Sequence, residues 1–120
     1  MSEETQEAPE LVELLDEEAT TQIREKIIEE LQTVFDPEIP VDIYKLGLIY
    51  DIFISDQAEV GIRMTLTSPN CPAAQSLPAE VKRKTAAVDG VRQAEVEIVF
   101  DPPWTPEKMD DAAKLTLNIL

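Results

Sequence analysis

The stretch that decides the fold is residues 48–66, LIYDIFISDQAEVGIRMTL. Apolar residues recur at every second position on both sides of a polar centre, which is the period of a β-strand. The polar centre, residues 55–58, has the length of a hairpin loop. The stretch therefore predicts two antiparallel strands, residues 48–54 and 59–66. In the first strand, we expect one face of Leu48, Tyr50, Ile52 and Ile54 and another of Ile49, Asp51 and Phe53. In the second strand, we expect Val60, Ile62, Met64 and Leu66 to point inward and Arg63 and Thr65 outward.

Helical periodicity precedes this hairpin. Between residues 20 and 35, apolar side chains recur every three or four positions, which places them on one face of a helix. Thr20 or Thr21 is the predicted N-terminal cap. Asp36-Pro37 is the predicted end, because a residue before proline avoids the helical region.

The chain after the hairpin predicts a helix, a strand and a second helix. The first helix runs to about Val88, with Pro78 either kinking it or marking its first turn. Residues 91–100 alternate as a strand, and Thr105-Pro106 begins the last helix. The predicted core-facing residues are Leu77, Val81, Thr85 and Val88 in the helix, and Ala94, Val96, Ile98 and Phe100 in the strand.

The element order is thus α-β-β-α-β-α. It predicts an α+β fold, a two-layer sandwich in which helices pack on one face of a three-stranded sheet. The length of 120 residues allows one domain, which we place at residues 19–120. Residues 1–18 carry eight acidic residues and no basic one, so we expect a disordered acidic leader there.

Composition excludes several classes of function. The chain has 10 basic and 25 acidic residues, a net charge of −15, which argues against nucleic acid and anionic membranes as partners. With no histidine, it cannot supply a histidine-based triad or a histidine metal ligand. With one cysteine it cannot form an intrachain disulfide. We find no signal peptide or membrane-spanning run and expect a cytoplasmic protein.

The one cysteine, Cys71, is the first candidate for a functional residue. It lies in the loop TSPNCP, between a predicted strand and a predicted helix, where a helix N-terminus would favour the thiolate. The alternative is that Cys71 is a small buried apolar residue. Asp36 and Glu38 form a second candidate pair that could bind metal, although Asp36 could equally cap a turn. Thr67, at the start of the cysteine loop, completes the candidate set.

Four segments of the sequence together resemble one known family. They are TVFDPEIPVDIYKLGLIYDI, TLTSPNCPAAQSLPAEV, DGV before the third strand, and FDPPWTPEKMDDAAKLTL. The chain from residue 20 onwards resembles the SufT/PaaD-like metal–sulfur cluster biosynthetic family. The resemblance implies a cytosolic, non-enzymatic accessory factor in iron–sulfur cluster assembly. It also implies that Cys71 is the prominent functional residue and that Asp36-Pro37-Glu38 is a shared signature.

An iron–sulfur cluster usually has four protein ligands, mainly cysteine thiolates, and one chain offers a single thiolate. We therefore expect either a labile cluster shared between chains, possible in a homodimer, or an adaptor role toward assembly proteins and apo clients. Three alternatives stay open at this point. One is an accessory protein of a multicomponent aromatic-ring oxygenase, and another is a thiol-dependent redox or transfer protein. The third is an interaction module with an inert cysteine.

Overall fold

The computed structural model describes residues 14–37, 39–67 and 76–117. These residues form an α+β fold in the predicted order, which confirms the expected fold class. The helices are α1 (Glu17–Leu31), α2 (Ser76–Ala86) and α3 (Asp111–Thr116), and the strands are β1 (Ile49–Ile54), β2 (Glu59–Met64) and β3 (Gln93–Ile98). A short 3₁₀ turn, Pro106–Lys108, precedes α3.

The sheet is mixed, with β2 in the centre. β1 and β2 form the predicted antiparallel hairpin, and the Ser55 amide donates to the Glu59 carbonyl across the turn at 2.9 Å. β3 pairs with β2 in parallel, so helix α2 forms the crossover between them. The order places the exit of β2 and the start of β1 at one end of the sheet, which we call the loop end. The hairpin turn lies at the other, the hairpin end.

Helix α1 begins earlier than predicted, because Asp16 caps it in place of Thr20 or Thr21. The Asp16 side chain accepts from the Ala19 amide at 2.8 Å. The Leu15 amide donates to the Asp56 carbonyl at 2.8 Å, which attaches the start of the helix to the hairpin turn. The last residues of the predicted leader therefore belong to the domain: Leu15 packs against the core, Asp16 caps α1, and residues 17–18 lie in the helix. Residues 1–13 lie outside the described residues.

Helix α1 also ends earlier than predicted, at Leu31 rather than at Asp36. The Thr33 amide and hydroxyl both donate to the Glu30 carbonyl, so a turn takes the place of a further helical residue. Helix α2 has Pro78 as its third residue, which confirms the alternative of a first-turn proline. The last segment is a 3₁₀ turn followed by α3, capped by Asp110, and not one helix starting at Thr105.

The core lies between the helices and one face of the sheet. Its buried members include Ile23, Ile27 and Leu31 of α1, Leu77 and Val81 of α2, and Val60, Ile62 and Met64 of β2. Thr85 and Val88 are also buried, which confirms the predicted inner stripe of α2.

Three side chains depart from the predicted alternation. Ile49 was expected to share a face with Asp51 and Phe53, but a bulge between Ile49 and Asp51 separates them, and Ile49 packs against the core. Thr65 was expected outside but is fully buried, because the Tyr50 side chain lies against it. Phe100 was expected in the core but is 45% exposed, because β3 ends two residues earlier, at Ile98.

Candidate functional site

The structure describes two of the four candidate residues, Asp36 and Thr67. Cys71 and Glu38 lie outside the described residues. Asp36 is buried in the connection between α1 and β1, and Thr67 follows β2 as the last described residue before residues 68–75. Cys71 is four positions further along the chain than Thr67.

Asp36 is only 3% exposed, which is unusual for an aspartate. Its Oδ1 accepts a hydrogen bond from the Ile39 amide at 3.0 Å, so the side chain closes the turn that contains Pro37. Its own amide donates to the Val41 carbonyl at 3.4 Å, and Phe35 forms a β-bridge with Asp42. These contacts confirm the prediction that Asp36 caps a turn. They also fix a buried carboxylate close to the position of Glu38 in the chain.

Backbone hydrogen bonds connect this turn to the end of β2. The Ile43 amide donates to the Val34 carbonyl at 2.8 Å, and the Leu48 amide donates to the Ile43 carbonyl at 3.1 Å. The Thr65 amide in turn donates to the Leu48 carbonyl at 2.8 Å. The Asp36 turn and the Thr67 segment therefore both belong to the loop end of the sheet. The sequence singled out Asp36 and Thr67 as candidates, but only the pairing of these segments shows that the two residues lie at the same end of the sheet.

Thr67 presents a buried hydroxyl at this end. Its Oγ1 is shielded from solvent and has no hydrogen-bond partner among the described residues. A buried hydroxyl without a partner is destabilising, so such groups are generally hydrogen-bonded in native proteins. The atom is therefore available to a group from the adjoining cysteine loop or to a bound ligand.

Asp42 is a residue that the sequence analysis missed. Its Oδ1 accepts from the amides of Tyr44 and Lys45, at 3.1 and 2.9 Å, and its Oδ2 lies 3.1 Å from Lys45 Nζ. With three donors on one buried carboxylate, Asp42 fixes the loop that leads into β1. The available signal was an aspartate followed by a turn, since aspartate side chains accept from amides two or three residues later.

The C-terminal segment, residues 104–110, packs against the same end of the sheet. The Trp104 indole Nε1 donates to the Leu46 carbonyl at 2.6 Å, so the indole N–H is satisfied within the fold. The Asp110 amide donates to the Lys45 carbonyl at 2.9 Å. Between these contacts, Gly47 has a φ of +81°, and a Cβ there would collide with the backbone of Lys108. Glycine is therefore required at this position for both conformation and close approach.

Tyr50 closes the outer side of the loop end. Its hydroxyl donates to the Pro102 carbonyl at 2.7 Å, and the Lys108 ammonium lies 5.1 Å from the centre of its ring. Burial raises the pKa of Tyr50 above its usual 10.0, and a contact with the Thr65 hydroxyl offsets part of this rise. The ring thus covers the side chain of Thr65, two residues before Thr67.

Within residues 14–37, 39–67 and 76–117, no group of three or more acidic, cysteine or histidine side chains could hold a metal ion. Among these residues there is also no helix long and apolar enough to cross a membrane. In the described part of the chain, the loop end therefore offers single polar groups, Asp36 and Thr67, rather than a complete set of metal ligands.

Comparison with known proteins shows which family the chain is similar to. The family model described as iron-sulfur cluster assembly protein matches residues 24–98. A protein from Bacillus subtilis named Fe-S protein maturation auxiliary factor YitW is 44% identical over 97 residues, which cover 81% of this chain and 95% of that protein. An Fe-S protein maturation auxiliary factor from Porphyromonas gingivalis is 42% identical over 99 residues, 82% of this chain and 94% of the relative.

A solved structure shares the fold as well. The crystal structure of a domain of unknown function, DUF59, from Bacillus anthracis superposes with a TM-score of 0.77 at 38% identity. The match covers 83% of this chain and 95% of that one. The matched family range includes Asp36, Thr67 and Cys71 and extends to the end of β3. This chain belongs to the iron-sulfur cluster assembly protein family.

Proposed function

We propose that this protein is a cytoplasmic, non-catalytic accessory factor in iron–sulfur protein maturation, and that Cys71 is the point of contact with the cluster. The observation that carries the proposal is the family match, which spans the chain's one thiol and the two buried polar groups that precede it, Asp36 and Thr67. The names of the relatives, maturation auxiliary factors, support the accessory role.

The residues of the loop end have distinct roles in this proposal. The thiolate of Cys71 binds iron, because thiolates are the preferred protein ligands of iron–sulfur clusters. The Thr67 hydroxyl supplies a hydrogen bond to the sulfur or to the bound cargo, since hydrogen bonds to sulfur tune such sites. Asp36 holds the turn that carries Glu38, and Glu38 supplies an oxygen ligand or remains in solvent.

The cluster is cargo rather than a resident cofactor. One thiolate per chain cannot satisfy four iron ligand positions, so the other ligands come from a second copy, an assembly protein or the apo client. Carboxylates are harder ligands and bind such iron less well than sulfur does. A cluster held by few thiolates is therefore labile, which suits transfer to another protein.

Anaerobic cluster reconstitution tests the proposal directly. The protein is incubated with ferrous iron and sulfide, and visible absorbance, iron content and molar mass by light scattering are measured. We expect a chelator-sensitive chromophore on a species larger than one chain, and its loss in Cys71→Ser. A chromophore of equal intensity in Cys71→Ser would contradict the role of Cys71. A chelator-resistant cluster on a monomer would contradict the shared cargo.

Two threonine variants separate a role in binding from a role in packing. Thr67 and Thr85 both have buried hydroxyls with no partner among the described residues, but Thr85 lies on α2, facing the core. Valine has nearly the shape of threonine without the hydroxyl. We expect Thr67→Val to reduce cluster yield at unchanged melting temperature, and Thr85→Val to keep the yield of the parent. Equal yields in both variants would remove Thr67 from the site.

A further inference from the structure

The outer face of the sheet, opposite the helices, carries a feature that the proposed function does not use. Three rows of side chains cross it, as the strand register shows. One row is Asp51, Arg63 and Glu97, the next is Phe53, Gly61 and Glu95, and the third holds Glu59 and Gln93. The helices α1 and α2 pack on the other face, and from α2 the Lys82 side chain extends to Glu95, with Nζ 3.5 Å from Oε1.

Gly61 lies in the middle of the central strand, where the backbone conformation does not require a glycine. Its φ is not positive, the register shift of the sheet lies elsewhere, and a Cβ at this position would meet no atom within 4 Å. Glycine inside a strand lowers stability and often marks a place where a ligand or another backbone approaches closely. Since bulge, turn and crowding are excluded at Gly61, close approach from outside is the remaining reason.

The missing side chain leaves a slot in the sheet surface. The slot has a volume of about 230 Å³ and is lined by Phe53, Arg63, Glu95 and Glu97 around Gly61. Phe53 forms one wall and is 58% exposed, although a large aromatic side chain gains most when it is buried. An apolar side chain from a partner would fill the slot and cover the Phe53 ring.

The charges of this face select among possible occupants. Four carboxylates point outward from the strands. Two cations contact them: Arg63 lies 3.7 Å from Asp51 and 3.3 Å from Glu97, and Lys82 of α2 lies 3.5 Å from Glu95, so the face keeps an excess of negative charge. A second copy would bring the same acidic face, and residues 1–13 bring five more glutamates. Both are repelled, whereas a basic segment is attracted. The outward carboxylates are Asp51, Glu59, Glu95 and Glu97.

We propose that this face, centred on Gly61, is a docking surface for an extended, basic segment of a partner protein. One apolar side chain of the segment enters the slot between Phe53 and Glu95. Cationic side chains two residues to either side lie near the carboxylates of the neighbouring rows, because alternate residues of an extended chain point the same way at the spacing of the rows. The residues that line the slot all belong to the three strands, so we expect peptide binding there without a bound cluster.

The test is an NMR titration of the ¹⁵N-labelled full chain with a capped peptide, Lys-Thr-Leu-Thr-Lys, and with the matched peptide Glu-Thr-Leu-Thr-Glu. We expect the basic peptide to shift the amide signals of Phe53, Gly61 and Glu95, with an affinity that falls as salt is added. The acidic peptide should leave them unchanged. Equal shifts with both peptides would overturn the charge argument.

Variants distinguish binding from folding. Gly61→Val fills the slot and should abolish the shifts while raising the melting temperature, because valine favours strands and meets no steric obstacle. Phe53→Ala should weaken binding by about tenfold. Leu115→Ala, which removes another exposed apolar side chain far along the chain in α3, is the control and should bind as the parent does.

Three results would overturn the proposal. The first is parental binding by Gly61→Val. The second is a set of shifts at Phe53 and Gly61 that appears on raising protein concentration without peptide, which would make a second copy the occupant. The third is the same set of shifts on deleting residues 1–13, which would make that segment the occupant.

Discussion

The polar groups at the two ends of the sheet differ in their burial and in the origin of their hydrogen-bond partners. At the hairpin end, the Ser55 hydroxyl accepts from the amides of Gln57 and Glu59, at 3.2 and 3.1 Å, and both contacts are local and solvent-exposed. At the loop end, polar groups are buried and their partners come from distant segments, as when the Trp104 indole reaches Leu46. At the hairpin end the side-chain hydrogen bonds are thus local, and distant segments contribute only backbone contacts, from Leu15 to Asp56 and from Arg92 to Ala58. At the loop end, buried side chains themselves bond to distant segments.

This difference has a physical basis. A turn needs only residues close in sequence, so its hydrogen bonds form with little loss of chain entropy. The loop end consists of the α1–β1 connection, the end of β2 and the C-terminal segment. These segments are far apart in the sequence, so folding must bring them together at a larger cost in chain entropy. Its stability therefore rests on a few buried groups, and one of its hydroxyls, at Thr67, has no partner among the residues described.

The largest expected effect is at Asp42. Asp42→Ala removes a buried carboxylate that accepts from two amides and the Lys45 ammonium, and leaves those amides without a partner. We expect a loss of about 2–4 kcal/mol in the free energy of unfolding, measured by urea denaturation. The matched variant at the hairpin end, Asp56→Ala, should change it by less than about 0.5 kcal/mol. Equal losses of unfolding free energy in the two variants would contradict the proposed difference between the two ends of the sheet.

A smaller effect is expected at Asp16, which caps α1 beside the hairpin end. Asp16→Ala removes the hydrogen bond from the Ala19 amide and should destabilise the protein by about 1 kcal/mol. Thr20→Ala serves as the control, because the Thr20 hydroxyl only donates back to the Asp16 carbonyl within the helix. If the Thr20 variant lost more stability than the Asp16 variant, the cap would have been assigned wrongly.

The smallest effect appears only at alkaline pH. Burial raises the pKa of Tyr50 in the folded state above its usual 10.0, so the folded state holds this proton more tightly than the unfolded state. The resulting stability is fully present below pH 10.0 and is lost as pH rises through the folded-state pKa. In Tyr50→Phe this loss should disappear from the dependence of melting temperature on pH. An unchanged alkaline decline in that variant would place its origin in other groups.

Periodic patterns were reliable where the structure is regular. The spacing of apolar residues predicted the inner stripe of α2 and the buried positions Val60, Ile62 and Met64, because helix and strand geometry alone decide which side chains share a face. The same reasoning failed at Ile49, Thr65 and Phe100. A bulge, a covering tyrosine and the end of a strand each interrupt the alternation there, and none of them is visible in a local pattern.

For the candidate site, the sequence by itself determined which chemistry is available. It has one thiol, no imidazole and an excess of carboxylates, and its motifs are those of the family to which it belongs. The tertiary structure alone decided that Asp36 and Thr67 belong to one end of the sheet, that Asp42 is fully engaged, and that Gly61 opens a slot opposite the helices. These facts depend on which distant segments pair and in what register. Residue identity fixes chemical capacity, whereas burial and proximity arise only when the chain is assembled.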